Sequence, residues 1–144
     1  MDHQISLDML MDTYNQLEQK LTNYRIKAFV DHLRKYDLTL NQFAILTKVQ
    51  REGPCLSVHL AQYLEIKAAS ITYLVDSLEQ RGYVTRLDNP EDRRSHRITL
   101  TDKGNDVLYI PEMDQSVKEQ FEHLDEEDKE MVYLSIRLLN RKLK

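Results

Sequence analysis

The chain has 144 residues, of which 41% are hydrophobic and 31% charged, with a net charge of −4; this predicts one domain, or one compact unit plus an extension, of ordinary globular make-up. No apolar run approaches the roughly 20 residues needed to cross a bilayer, and the opening "MDHQISLDML" carries acids where a secretory signal carries positive charge. A single cysteine excludes an internal disulfide and fits a reducing compartment, so the expected location is cytoplasmic, with no membrane partner.

From the N-terminus, Leu7, Leu10, Tyr14, Leu17, Leu21, Tyr24 and Ala28 recur at alternating spacings of three and four, which is a heptad seam. The same helix should run on through Phe29, Val30 and Leu33 and stop near Tyr36, making a rod of roughly 45 Å at about 1.5 Å per residue. Such a rod is longer than a domain of this size is wide, so part of the seam is expected to be covered by a second subunit.

Next, Leu40, Phe43, Leu46 and Val49 or Gln50 mark one face of a helix, with Thr39 as its N-cap and Gly53-Pro54 as its stop. Ser57 is expected to cap a shorter helix that turns Leu60, Ala61 and Leu64 inward. In "KAASITYLVDSLEQRG", Ile71, Leu74, Val75 and Leu78 form a helical stripe closed by Gly82. Two short helices in this order, the second amphipathic, have helix-turn-helix proportions.

After Gly82 the period changes to two. "YVTRLD" and "HRITLT" alternate around "NPEDRRS", where Asn89-Pro90 favours a turn. The hairpin this predicts has a loop too long and too charged for a minimal turn. Helix, turn, helix, hairpin is the winged-helix order, so the expected fold class is mostly α with a small β-hairpin wing. Thr101 opens the next helical stretch, with Leu108, Met113, Val117 and Phe121 apolar and Pro111 expected to kink or interrupt it. Asp125 caps the last helix, which begins in acids and ends in Arg137, Arg141, Lys142 and Lys144, the order its dipole favours. Val132, Ile136, Leu139 and Leu143 are its seam. Three regions follow: 1–36, a dimerisation helix; 37–104, the winged helix-turn-helix; and 105–144, further dimerisation helices.

Two places could carry chemistry. On the "TYLVDS" helix, an inward Ile71, Leu74, Val75 and Leu78 leave Ser70, Tyr73 and Ser77 on another face, flanked by Thr72 and Asp76. Hydroxyls and one aromatic suit base-edge, thymine-methyl and phosphate contacts. Ala68 and Ala69 would let the helix start approach DNA closely, and Lys67 with the open N–H groups there could hold a phosphate. The second place is the hairpin tip. Residues 1–55 and 56–104 are each charge-balanced, and the whole acidic excess lies in 105–144. Yet 81–97 holds Arg81, Arg86, Arg93, Arg94 and Arg97 against only Asp88, Glu91 and Asp92. An arginine held outward at a hairpin tip gains from the negative potential of a minor groove. Asp92 is placed to supply that hold by pairing with Arg94, or with Arg86 on the neighbouring strand.

The stretch "SITYLVDSLEQRGYVTRLDNPEDRRSHRITLTDKG" resembles the multiple-antibiotic-resistance regulator (MarR) family of winged-helix repressors, with "LVDSLEQRGYV", "DNPEDRRS" and "LTDKG" in that family's order and spacing. The resemblance is specific over 39–104 and looser over the flanking helices. It implies a homodimer on a pseudo-palindromic operator of double-stranded DNA, acting as a regulator relieved by a small-molecule effector or another signal. It places the helix of 67–81 in the major groove, with Ser70, Thr72 and Tyr73 at contact positions. Arg94 becomes the minor-groove arginine and Asp92 its supporting acid, while Arg86, Arg93 and Arg97 contact phosphates or brace the wing. Tyr73 departs from the pattern, since many members carry arginine there. His32 and Tyr36 fall near where related proteins bind small phenolic ligands. The dimer residues would be Leu7, Leu10, Tyr14, Leu17 and Leu21 with Val132, Ile136, Leu139 and Leu143.

Other features carry less. Cys55 sits in a loop, whereas peroxide-sensing members of the family share a cysteine on the first helix. The five histidines have no ligand spacing, so neither metal nor cofactor is expected. No nucleophile elbow or glycine-rich phosphate loop suggests an enzyme. The net acidity leaves one alternative open: a winged-helix protein-interaction module that does not bind DNA.

Overall fold

The computed structural model describes residues 4–143. Helix α1 spans Leu7–Lys35, and the chain divides into two compact units, one of Val30–Ile110 and one joining the segments before Val30 and after Ile110. No described helix is long and apolar enough to cross a membrane.

In the central unit, helix α2 (Leu40–Glu52) starts in a reciprocal cap. The Thr39 hydroxyl accepts from the Gln42 N–H at 3.2 Å, and the Gln42 side chain accepts from the Thr39 N–H at 3.0 Å. Its buried face is Gln42, Ile45, Leu46 and Val49, with Leu38 entering from before the cap. Leu40, expected inside, is exposed. Six residues before Leu46 it lies about 120° around the helix, whereas Gln42 is one turn away. Val49 rather than Gln50 completes the stripe.

A two-residue strand, β1 (Cys55–Leu56), leads directly into α3 (Ser57–Leu64). Pairing with a later strand holds Leu56 extended, so Leu56 takes the N-cap position without a side-chain bond. Ser57, the expected cap, is the first helical residue. Helix α3 ends on a left-handed Glu65, whose turn is closed by the Ile66 N–H on the Ala61 carbonyl at 3.0 Å. Helix α4 (Ala68–Gln80) buries Ile71, Val75 and Leu78, with Leu74 half-buried beside them. Gly82, at φ +78°, then turns the chain so that the Tyr83 N–H reaches the Leu78 carbonyl at 2.9 Å.

Strands β2 (Val84–Asp88) and β3 (His96–Leu100) form the expected hairpin, with Arg86 opposite Ile98. The unexpected β1 adds to the free edge of β3, giving the sheet order β1-β3-β2. Ile45, Leu46, Leu60, Ile71, Val75, Leu78, Val84 and Ile98 form the fully buried centre. Thr101 caps the short α5 (Asp102–Asp106) through the Gly104 N–H at 3.0 Å. Helix α6 (Pro111–Glu122) begins at Pro111, where a missing N–H costs nothing; the proline separates two helices.

In the other unit lie the earlier turns of α1, α6 and the last helix, α7 (Glu126–Lys142), which is capped by Asp125 on the Asp128 N–H at 2.8 Å. Neither α6 nor α7 contains a buried residue. Of the expected dimer seam, Leu7, Leu10, Tyr14, Leu17, Ile136, Leu139 and Leu143 are exposed, and Leu21 and Val132 half-buried. Met131, Tyr133, Leu134 and Leu138 are exposed as well, so α7 leaves apolar side chains uncovered beyond the expected seam.

Candidate nucleic-acid interface

Helix α4 turns the face expected to read DNA to the side opposite Ile71, Val75 and Leu78. Lys67 is its N-cap residue, and Lys67, Ala68, Ala69, Ser70, Thr72 and Tyr73 are all exposed, Tyr73 at 74%. The Lys67 side chain makes no cap bond. Thr72 directs its hydroxyl to the Ala68 carbonyl at 3.0 Å. Ser77, expected on the same face, is half-buried and accepts a bond from the Gln42 amide at 3.2 Å. It sits one turn beyond Tyr73, where α4 meets α2, and it fastens the two helices together.

Asn89 organises the wing tip. It is buried, its amide donates to the Ser95 hydroxyl at 2.8 Å, and its carbonyl groups receive the Glu91 and Asp92 N–H groups at 3.3 Å each. Ser95 closes the loop through the Asp92 carbonyl, with its N–H at 3.1 Å and its hydroxyl at 3.2 Å. Asp92 does not pair with a guanidinium. Its carboxylate accepts the Arg94 backbone N–H at 2.9 Å, the two-residue reach natural to an aspartate in a turn. The acid therefore fixes the main chain at Arg94 and leaves that side chain outward. Arg93 and Arg94 are exposed, and Arg97, in the middle of the sheet, is half-buried.

Arg86 likewise has other partners than expected. From β2 it reaches α4, donating to Glu79 at 2.9 Å and to Asp76. Burial works against its charge, but Asp76 and Glu79 outweigh burial and hold the guanidinium above the ordinary arginine range. Arg86 is a strut between α4 and the wing. Between them lies an open concavity of about 520 Å³ lined by Thr72, Arg86, Asn89, Asp92, Arg94 and His96, among others.

The base of the wing depends on residues that spacing alone does not identify. Thr101 donates its hydroxyl to the Gly82 carbonyl at 2.6 Å and its N–H to the Tyr83 carbonyl at 3.1 Å. Lys103 donates to the Arg81 carbonyl at 2.7 Å, and Arg81 donates to the Asp37 and Tyr36 carbonyls at 2.7 and 3.1 Å. The cations of Arg81 and Lys103 both lie over the Tyr83 ring, 5.1 and 4.8 Å from its centre. A Cβ on Gly104 would collide with the Tyr83 carbonyl oxygen and stand 2.9 Å from its carbon. "RGYV" and "LTDKG" thus interlock.

His32 is buried, and its Nε2 lies 2.7 Å from the Val107 carbonyl. Its Nδ1 has no hydrogen-bond partner, and its ring centre is 4.7 Å from that of Tyr36. The two candidate ligand residues are therefore neighbours. Cys55 is buried with its thiol on the Gly53 carbonyl at 3.2 Å. Burial and Glu52 push that thiol's pKa up against the opposing pull of Lys48.

The MarR family model matches residues 38–96, which run from the end of the first inter-helix turn to the first residue of β3. A helix-turn-helix transcriptional regulator of Clostridioides difficile, BilQ, is 30% identical over 69% of this chain and 70% of its own length. Against two Bacillus subtilis relatives the chain spans 65% and 60% of their length. Among solved structures, the transcriptional regulator Tm0710 of Thermotoga maritima superposes with a TM-score of 0.69 at 26% identity, over 91% of both chains. A MepR mutant of Staphylococcus aureus bound to an oligodeoxyribonucleotide gives 0.67 at 18% identity, over 98% of this chain and all of its own, a likeness of fold. With the helix-turn-helix, the arginine-tipped wing and these relatives in agreement, the chain belongs to the MarR family.

Proposed function

We propose that this chain is a transcriptional regulator that binds a two-fold symmetric operator in double-stranded DNA as a homodimer, with α4 in the major groove and Arg94 in the adjoining minor groove. One observation carries the reading. The Asn89–Ser95 and Asp92–Arg94 bonds make the wing tip a preformed loop that holds an exposed arginine outward. A loop whose main chain is already ordered does not have to lose that backbone entropy on binding. The exposed apolar seams of α1 and α7 suit a second copy, and a dimer reads half-sites about 34–36 Å apart. Relatives that are helix-turn-helix regulators, and one crystallised on DNA, support the partner. Repression relieved by a small-molecule effector is the regulatory form we favour, with His32 and Tyr36 as the candidate contacts because a buried ring nitrogen there has no partner.

The net charge of −4 favours the other reading, a protein-interaction module, but the excess acids lie in 105–144, away in sequence from the wing. Arg94→Ala separates the two. It should cut DNA affinity at least tenfold with folding intact, whereas an unchanged affinity, or none to begin with, rejects the regulator.

A further inference from the structure

The reading face of α4 has a chemistry of its own. Between Ala68 and Tyr73 its exposed side chains are two methyl groups, the Ser70 hydroxyl, Thr72 and the Tyr73 ring. Thr72 has committed its hydroxyl hydrogen to the Ala68 carbonyl, so it offers a methyl group and a lone pair. Tyr73 is the largest exposed side chain on these turns, at 74%. Bidentate readers of guanine are arginine and lysine, and those of adenine are asparagine and glutamine. The exposed Gln80, at the far end of the helix, lies about 18 Å along the axis from Ala68, whereas base contacts come from the start of a recognition helix. Lys67, at the cap, is placed for a phosphate.

We infer that α4 recognises its half-site through the C5-methyl groups of thymines, received by Ala68, Ala69, the Thr72 methyl and above all the Tyr73 ring, so that Tyr73 selects a T·A pair. This rests on the regulator reading and refines it. The wing points the same way, because narrow minor grooves that attract arginine occur over A-tracts. Both grooves of the half-site are then A·T-rich, one through methyl contact and the other through width.

The test begins with duplexes selected from a random pool by the full-length protein. Each thymine of the selected half-site is then replaced by deoxyuridine, which lacks the C5-methyl and keeps every hydrogen-bonding group. Affinity should fall about fourfold for each contacted methyl, the transfer value of one such carbon, and about fifteenfold when both half-sites lose it. Tyr73→Ala should abolish the sensitivity at one thymine, and Tyr73→Phe should keep it. Since Tyr73 is exposed, thermal melting of both variants should match the parent. Arg94→Ala should lower affinity while preserving the thymine-to-deoxyuridine ratio. Deoxyuridine duplexes that bind as tightly as thymine duplexes, or selected half-sites rich in G·C pairs, overturn the inference and leave the regulator reading in place. Failure to select any duplex overturns both.

Discussion

Arg86 offers the sharpest test of how the site is held together, because the alternatives make opposite predictions. Removing it by Arg86→Ala leaves Asp76 and Glu79 on α4 facing each other without their cation. The guanidinium makes two charge-assisted bonds, each worth about 1.5–3 kcal/mol when fully sheltered. Here the side-chain exposures are 25% for Arg86, 49% for Asp76 and 39% for Glu79, so solvent screening reduces the pair to about 1–2 kcal/mol in all. That loss should appear in chemical denaturation as a lower midpoint with unchanged slope. Asp76→Ala should cost less, and the double variant should cost less than the two single losses together, a coupling of roughly 0.5–1 kcal/mol. DNA affinity of the folded variant, measured by fluorescence anisotropy, should drop about tenfold because the wing no longer holds its place against α4. The salt dependence decides the matter. A strut contacts no phosphate, so the slope of log affinity against log salt should stay as it was. A slope shallower by about 1.8, roughly 0.9 for each of the two copies, with unaltered stability, would show that Arg86 neutralises a phosphate, and the strut would be refuted.

Gly104→Ala should destabilise the central unit by about 2 kcal/mol or more in denaturant melts, since the new Cβ runs into the Tyr83 peptide and crowds the Leu100 side chain; a variant as stable as the parent contradicts the interlock. Asp92→Asn should bind DNA nearly as well as the parent, because an amide oxygen can still accept the Arg94 N–H, while Asp92→Ala should lose about threefold to tenfold, in line with one lost bond of about 1 kcal/mol. Equal losses in the two variants would return Asp92 to the role of a charged brace. Cys55 should react with iodoacetamide far more slowly than a free thiol at neutral pH, because burial raises its pKa. The sign follows for stability too: the folded chain retains a proton that the unfolded chain releases above about pH 8.5, so stability should fall as pH rises through that value. Fast labelling of the folded protein, or no alkaline loss relative to Cys55→Ser, goes against this.

What could be read from the sequence was whatever is encoded over a few neighbouring positions. Ile71, Val75 and Leu78 are buried as their spacing predicts, and Thr39, Thr101 and Asp125 cap the helices they precede. Each is a local matter of period or of one hydroxyl or carboxylate beside open N–H groups. The misreadings concern partners that only the folded chain brings together. Nothing in the spacing of Arg86 and Asp76 says that β2 lies against α4, so the nearer acid, Asp92, drew the arginine on paper. Ser57 lost the cap to Leu56 because a strand too short to show a period, β1, pairs with β3. Gly104 read as part of a motif and nothing more, since its need comes from the approach of the Tyr83 backbone. Ser77 is the instructive residue: expected on the exposed face, it is half-buried and joins α4 to α2 through the amide of the buried Gln42.

The central claim is that two copies of the chain present α4 and the wing together to one duplex. Sedimentation of the protein with a selected duplex, combined with hydroxyl-radical footprinting of the same complex, tests it most directly. Two chains per duplex are expected, with two equivalent protected patches centred one helical turn apart and symmetric about a dyad. A single chain on a single patch, or protection that spreads without symmetry along the duplex, would contradict it.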